Sequence, residues 1–135
     1  MPDENAISSV HSIVGDEGFQ RLVAAFYRRI PGDDLLGPMY PAKDLAGAEH
    51  RLCSFLIFRF GGSDRYLNER GHPQLRGRHG PFAIDHAARD RWVYLMDEAL
   101  KEVDLPGDVV DTIRDFLREV ATFLINRGSK PVIVS

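Results

Sequence analysis

The most informative residue for chemistry in this sequence is a histidine in an irregular stretch. His79 ends a short predicted helix, and Gly80 and Pro81 behind it terminate that helix and direct the exit of the chain. One imidazole in an apolar neighbourhood is enough to ligate the iron of a haem. An isolated histidine is more often a surface residue or one held by hydrogen bonds, so the surrounding residues decide between these interpretations.

Three large side chains with polar tips accompany this histidine. Tyr27, Tyr40 and Trp92 lie on predicted apolar helix faces or at a predicted corner of the chain. Each buried Tyr O–H or Trp N–H needs a hydrogen-bond partner. Alone, each is interpreted more simply as an amphipathic core residue. Together with a single imidazole on a separate helix, they predict a cluster of donors that faces a small bound ligand.

Motifs for other common chemistries are missing from the sequence. It has no Gly-x-Gly-x-x-Gly, no phosphate-binding P-loop, no His-Glu-x-x-His and only one cysteine, Cys53. A di-iron site in a helical bundle needs two Glu-x-x-His motifs. Only Glu69-Arg70-Gly71-His72 has that spacing, and its glycine and the following Pro73 break the helix that would align the ligands. Nucleotide chemistry, zinc hydrolysis and a di-iron site are therefore disfavoured.

Length and composition indicate one globular domain. The chain has 135 residues, of which 44% are hydrophobic and 27% are charged. Its formal net charge of -3 disfavours nucleic acid as a partner. The lone cysteine permits no internal disulfide, the first residues lack the features of a signal peptide, and no apolar stretch is long enough to span a membrane. We expect a cytoplasmic protein without a membrane partner.

The first half of the chain predicts two long helices separated by a corner. Apolar residues recur at helical spacing over residues 19–30, after a weaker pattern over residues 7–14 that Gly15 and Gly18 break. Several prolines then forbid a long helix around Tyr40. The next helix opens with Asp44 as its N-cap and ends at the Gly61-Gly62 pair.

The second half of the chain predicts an irregular stretch and two further long helices. Residues 63–82 should form a loop with one short helix over residues 74–79. Asp85 caps a helix that ends before Asp104, and the last helix closes at Gly128. No segment alternates with period two, so the fold class is all-α, with one domain over residues 1–128 and a tail over 129–135.

Several short motifs resemble those of the group II truncated haemoglobins, a family of small bacterial globins. The match covers roughly Val14 to Gly128, and its specificity lies in the order and spacing of the motifs rather than in any one of them. The motifs are Phe26-Tyr27, Met39-Tyr40-Pro41, Asp44-Leu45-Ala46-Gly47-Ala48-Glu49, Gly61-Gly62, Arg70-Gly71-His72-Pro73, Leu75-Arg76, Arg78-His79, Pro81-Phe82 and Arg89-Asp90-x-Trp92.

The resemblance implies a truncated globin fold, a two-over-two helical sandwich whose irregular loop carries a short proximal helix, with haem b (iron protoporphyrin IX) as cofactor. By that resemblance His79 is the proximal iron ligand, and the distal hydrogen-bonding cluster consists of Tyr27, Tyr40 and Trp92. Ala48 stands where other globins often carry a distal histidine, so that position leaves space instead of a donor.

Further contacts of the haem are implied by the same resemblance. Leu52 and Phe55 would line the distal wall, and Tyr66 would contact the haem from the loop. Arg51 and Arg78 are candidates to pair with the haem propionates. For both arginines the alternative of an ordinary solvated surface charge stays open.

One departure from the family pattern concerns the end of the second long helix. Ile57 and Phe58 precede the glycine pair at positions where relatives often carry more polar residues. We hypothesise that these side chains cover a second copy of the chain, as in a homodimer, or receive the apolar tail residues Val132-Ile133-Val134.

The function implied is reversible binding of O2, with CO and NO as further ligands, at a five-coordinate iron. Donors that hydrogen-bond to the ligand slow its release, which favours storage or scavenging over fast delivery. An alternative is a haem redox enzyme that acts on peroxide or converts NO to nitrate with an external reductase, since no flavin or nicotinamide motif is present. A third alternative is a helical interaction module without haem.

Overall fold

A computed structural model describes residues 4–71 and 84–126, and this part of the chain is helical without a strand. Its α-helices, in chain order, are α1 Glu4–Arg28, α2 Leu45–Arg59, α3 Arg65–Arg70, α4 His86–Glu102 and α5 Gly107–Phe123. Two short 3₁₀ helices, Gly37–Met39 and Ala42–Asp44, form the predicted corner between α1 and α2. The all-α prediction is confirmed.

The predicted break in α1 occurs at Gly15, whereas the break predicted at Gly18 is wrong. Gly15 has φ 72° and ψ 169° and kinks the helix. Gly18 lies inside the helix, where a Cβ atom would be 2.5 Å from the Val14 Cγ1 atom. A glycine costs a helix only about 1 kcal/mol, so tertiary packing outweighs that preference at Gly18.

The two helix starts with a predicted aspartate cap differ. The Asp85 carboxylate accepts a hydrogen bond from the Ala88 N–H at 2.8 Å, as predicted for the N-cap of α4. Asp44 occupies the position before α2, but its side chain makes no cap hydrogen bond. The predicted start of α2 is therefore correct, and the predicted role of the Asp44 side chain is wrong.

Helix α5 ends earlier than predicted. It stops at Phe123 instead of near Gly128, because Asn126 leaves the helix direction to bind Ile84. The Asn126 N–H donates to the Ile84 carbonyl at 2.8 Å, and the Ile84 N–H donates to the Asn126 side chain at 2.8 Å. These two bonds tie the end of α5 to the start of α4.

The irregular stretch contains a helix that the sequence analysis did not anticipate. Helix α3 occupies Arg65–Arg70, while the predicted short helix over residues 74–79 and the tail over residues 129–135 lie outside the described residues. The Phe58 ring stacks on Tyr66 of α3, with centroids 6.4 Å apart. Part of the apolar surface at Ile57 and Phe58 is thus covered within the chain itself, and its covering by a tail or a second copy stays a prediction.

The core lies where α1 crosses α2 and α5. Phe60 has no exposed surface and lies between two other aromatic rings, with centroids 5.6 Å from Phe19 and 5.2 Å from Phe116. At this crossing the His11 N–H donates to the Phe60 carbonyl at 2.8 Å. Gly61, with φ +100°, lies so close to α1 that a Cβ atom would overlap the Ser8 carbonyl oxygen. Only glycine permits this approach.

Within 4–71 and 84–126, no helix combines the length and the apolar character needed to cross a bilayer.

Candidate functional site

A cavity of about 500 Å³ lies between the corner after α1 and helices α2, α4 and α5. Its walls are mainly apolar, and polar groups lie at two places along them. The apolar side chains that line it include Leu36, Met39, Leu52, Phe55, Leu117, Val120 and Leu124. A volume of this size with a few converging polar groups is typical of a site for a small molecule or cofactor.

Every predicted site residue in the described part of the chain lines this cavity. These residues are Tyr27, Tyr40, Ala48, Arg51, Leu52, Phe55, Tyr66 and Trp92. The predicted iron ligand His79 and the neighbouring Arg78 lie outside the described residues. The structure therefore brings together the side chains assigned to the distal cluster and wall, and the proximal assignment stays a prediction.

The three predicted donors meet at one end of the cavity. The rings of Tyr27 and Tyr40 are 5.7 Å apart between centroids and stand edge to face, at 83°. The Trp92 indole lies close enough to the Tyr40 hydroxyl to lower its pKa as a neighbouring N–H donor. Phe26 packs against two members of this group, with its ring centroid 5.2 Å from that of Tyr27 and 5.1 Å from that of Trp92. We call Tyr27, Tyr40 and Trp92 the donor cluster.

Burial raises the pKa values of the two phenols in the donor cluster, which would already be protonated at neutral pH. It raises the pKa of Tyr27 well above the ordinary tyrosine value, and the nearby Tyr40 raises it further. Burial also raises the pKa of Tyr40, an effect that the Trp92 N–H partly offsets. Both hydroxyls therefore carry their protons at neutral pH, as a hydrogen-bond donor must.

Asp33 connects the corner that precedes Tyr40 to the helix that carries Trp92. The Asp33 carboxylate accepts from the Leu36 N–H at 2.7 Å, which shapes the corner that leads to Tyr40. Its other oxygen lies 2.6 Å from a guanidinium nitrogen of Arg91, the residue before Trp92. The pKa of Asp33 is raised by burial, but the Leu36 N–H and Arg91 outweigh that effect and hold it below the ordinary value.

The sequence analysis missed this Asp33–Arg91 pair. Asp33 follows a Pro-Gly dipeptide, and an aspartate there is a common turn residue because its side chain binds backbone N–H groups two or three residues ahead. That signal predicts the turn. It does not predict the partner, because Arg91 lies on a different helix.

Charged and partly exposed side chains form part of the cavity lining. Arg51, Arg70 and Arg89 line it together with Asp44, and we call these four residues the rim. The Arg51 Nη2 atom lies 2.6 Å from the Asp44 Oδ2 atom. Arg89 donates to the Thr122 hydroxyl at 3.0 Å and pairs with Asp90. Arg70 and Arg89 were present in the motifs but had no predicted role.

The lining fits an amphipathic molecule with an anionic edge. The apolar walls suit a flat hydrophobic body, the donor cluster suits a small polar ligand, and the guanidinium groups of the rim suit carboxylates. A haem combines an apolar macrocycle with two propionate groups, so the residues present fit this group. Among the described residues, no three His, Cys, Asp or Glu side chains are grouped to hold a bare metal ion.

Sequence comparison relates the chain to known proteins over most of its length. Residues 9–126 match the family of bacterial-like globins. The group 2 truncated haemoglobin YjbI of Bacillus subtilis is 32% identical over 122 residues, which are 90% of this chain and 92% of that protein.

Comparison with solved structures finds the same architecture. The haemoglobin of the thermophilic phototrophic bacterium Chloroflexus aurantiacus matches with a TM-score of 0.84 at 35% identity, over 88% of this chain and 98% of that one. A truncated oxygen-avid haemoglobin from Bacillus subtilis matches with a TM-score of 0.83 at 33% identity, over 87% and 99%.

Proposed function

This chain belongs to the bacterial-like globin family, as a group II truncated haemoglobin, and on that premise we propose that it holds haem b in the cavity and binds dioxygen reversibly. The globin family implies the haem cofactor. Haem supplies an iron atom with a coordination position for a diatomic gas, so CO and NO are further ligands. We assign the iron ligand to His79.

The observation that carries this proposal is the convergence of the donor cluster in an apolar cavity. A haem would supply the iron that binds dioxygen, and the protonated hydroxyl and indole groups of this chain would stabilise negative charge on that ligand. Charge-assisted hydrogen bonds of this kind contribute about 1.5 to 3 kcal/mol each. Because 1.4 kcal/mol corresponds to about a tenfold change in affinity, even one such donor slows release strongly.

Slow release favours storage or scavenging of dioxygen over rapid delivery. The mainly apolar walls lower the local dielectric around the donors, which strengthens their electrostatic effect on a bound ligand. The similarity to a haemoglobin described as oxygen-avid supports the same assignment. We therefore propose that this protein retains dioxygen with high affinity.

The decisive experiment measures O2 dissociation from the haem-loaded protein by stopped flow. Trp92→Phe and Tyr40→Phe are each expected to release O2 about tenfold faster, because each removes one donor from the cluster. Tyr94→Phe is the matched control: it removes a hydroxyl from the same helix as Trp92, at a side chain that is 59% exposed. Unchanged rates in both cluster variants would refute the donor model.

A separate experiment tests the iron ligand. His79→Gly is expected to weaken haem retention and to change the ferrous absorption spectrum, since no other imidazole is assigned to the iron. His86→Ala serves as a control, because this exposed histidine lies in the first turn of α4 and does not line the cavity. A ferrous spectrum identical to that of the parent protein would reject the His79 assignment.

The same donor cluster also supports a second candidate function. Two protonated phenols and an indole N–H can polarise an O–O bond, which suits reaction of peroxide, or of dioxygen with NO to give nitrate. Turnover then needs an external reductase. Sustained NO consumption in the presence of a reductant would favour the enzyme, whereas a single stoichiometric oxidation would favour the binding protein.

A further inference from the structure

Asp44 occupies the N-cap position of α2 without capping the helix. An aspartate there ordinarily accepts a hydrogen bond from a backbone N–H two or three residues ahead. The Asp44 side chain makes no such bond, and its Oδ2 atom lies instead 2.6 Å from the Arg51 Nη2 atom. Because this carboxylate binds an arginine of the rim instead of a backbone N–H group of its own helix, we expect its role to lie at the rim.

The pair spans one face of α2. Positions 44, 48 and 51 fall on the same side of the helix, and all three residues line the cavity. The small Ala48 side chain lies between the two charged residues. Gly47 leaves the space for the pair, because a Cβ atom there would be 2.5 Å from the Asp44 Oδ1 atom and 3.0 Å from the Arg51 Nη1 atom.

The surroundings of Asp44 favour a negative charge. The hydrogen bond from Arg51 lowers the pKa of Asp44 despite the opposing effect of desolvation, and the charge of Arg70 lowers it further. The pair is partly solvated, with the side chains of Arg51 and Asp44 36% and 51% exposed. The Asp44 carboxylate therefore occupies, in the lining of the cavity, a position that suits a carboxylate of a ligand.

We propose that Asp44 is a built-in competitor that a carboxylate of the haem must displace from Arg51. This inference rests on the proposed function, since it takes a haem with two propionates as the ligand. Arg51 is the binding partner, and Asp44 acts through it by offering a rival carboxylate and by repelling the incoming one. Asp44 thus makes the haem easier to release than the cavity walls alone would allow.

The test measures the rate of haem loss from the haem-loaded protein to an excess of apomyoglobin. Asp44→Asn is expected to slow the loss by about two- to fivefold, the range of exposed ion pairs. Asp97→Asn is the matched control, because Asp97 pairs with Arg118 at 2.8 Å, does not line the cavity, and its loss changes the net charge equally. This control should leave the rate unchanged.

A second arm isolates the carboxylates of the ligand. Both proteins are reconstituted with haem dimethyl ester, whose propionates cannot form ion pairs. The difference between parent and Asp44→Asn should then vanish. An equal or faster loss in Asp44→Asn with ordinary haem, the same slowing in Asp97→Asn, or a difference that persists with the ester would each overturn the competitor role. A parent protein that shows no haem absorption at all would instead overturn the proposed function, and this inference with it.

Discussion

Two phenylalanines, one in α2 and one directly after it, show how the packed core and the cavity differ in their use of aromatic residues. Phe60, just past α2, is enclosed between Phe19 and Phe116 and has no exposed surface. Phe55, one and a half turns earlier, packs against Tyr66 with ring centroids 5.5 Å apart and faces the cavity with the rest of its surface. The residue that follows α2 therefore stabilises the fold, while the face of α2 that carries Phe55 leaves room for a ligand.

The contrast extends to polar groups. At the packed end, backbone approaches backbone, as where Gly61 lies against Ser8. At the cavity end, hydroxyl, indole and guanidinium groups line a space without filling it. Substitutions at the packed end should therefore change the free energy of unfolding, whereas substitutions at the cavity end should mainly change ligand binding.

The largest effect on stability is expected for Gly61→Ala. The new Cβ atom overlaps the Ser8 carbonyl oxygen and the residue must hold φ +100°, so we expect a loss of about 4 kcal/mol in the free energy of unfolding, at the high end for single substitutions. Urea denaturation monitored by circular dichroism measures it.

Two other glycines separate the causes of this loss. Gly15→Ala tests a positive φ alone, because nothing lies within 4 Å of its Cβ position, and it should cost about 1 to 2 kcal/mol. Gly107→Ala has open space as well and no positive φ, and it should be close to neutral. If all three variants were equally stable, close contact at Gly61 would not be what holds α1 on α2.

A matched pair of phenylalanine variants tests the comparison itself. Phe60→Ala should cost about 3 to 4 kcal/mol in the free energy of unfolding, because it empties a site closed on every side. Phe55→Ala should cost about 2 kcal/mol, since its ring already lacks partners toward the cavity. Thermal and urea unfolding of both variants measure the difference. If the Phe55 variant were as unstable as the Phe60 variant, the core residue would not contribute more to stability than the residue that lines the cavity.

The donor cluster predicts how stability depends on pH. Burial raises the pKa of Tyr27 above its ordinary value of 10.0, so the folded state keeps a proton that the unfolded state loses near pH 10. Stability is then fully present below about pH 10 and falls above it, by up to about 1.4 kcal/mol per pH unit for this one group. Tyr27→Phe should flatten that fall in alkaline urea titrations. Equal slopes in both proteins would place the Tyr27 hydroxyl in contact with solvent.

The smallest effect concerns the reactivity of the single cysteine. Burial, together with the charges of Asp16 and Glu49, raises the pKa of Cys53 to about 11. At pH 8 its thiolate fraction is small, so Ellman's reagent should label the folded protein much more slowly than the urea-unfolded protein. Equal labelling rates would mean that α2 is not held against its neighbours at this position.

Local sequence patterns predicted the helices well where the deciding interactions are local. The caps and stops at Asp85 and Gly61-Gly62 depend on bonds within a few residues, and the structure confirms them. Gly18 was misread because the space next to Val14 and Leu105, and not its own helix propensity, decides its place. Helix α3 was not predicted, because its six residues are too few to form a periodic pattern.

The sequence by itself determined the helical class and most of the helix bounds. Periodic apolar residues and the spacing of short motifs suffice for these, since both are properties of neighbouring residues. Only the tertiary structure decided that Tyr27, Tyr40 and Trp92 meet in one cavity, that Asp33 joins Arg91, and that Asp44 turns from its own helix toward Arg51. Such contacts depend on how the helices pack, and on which of several nearby partners binds a charged group most favourably. The order of residues along the chain does not contain this information.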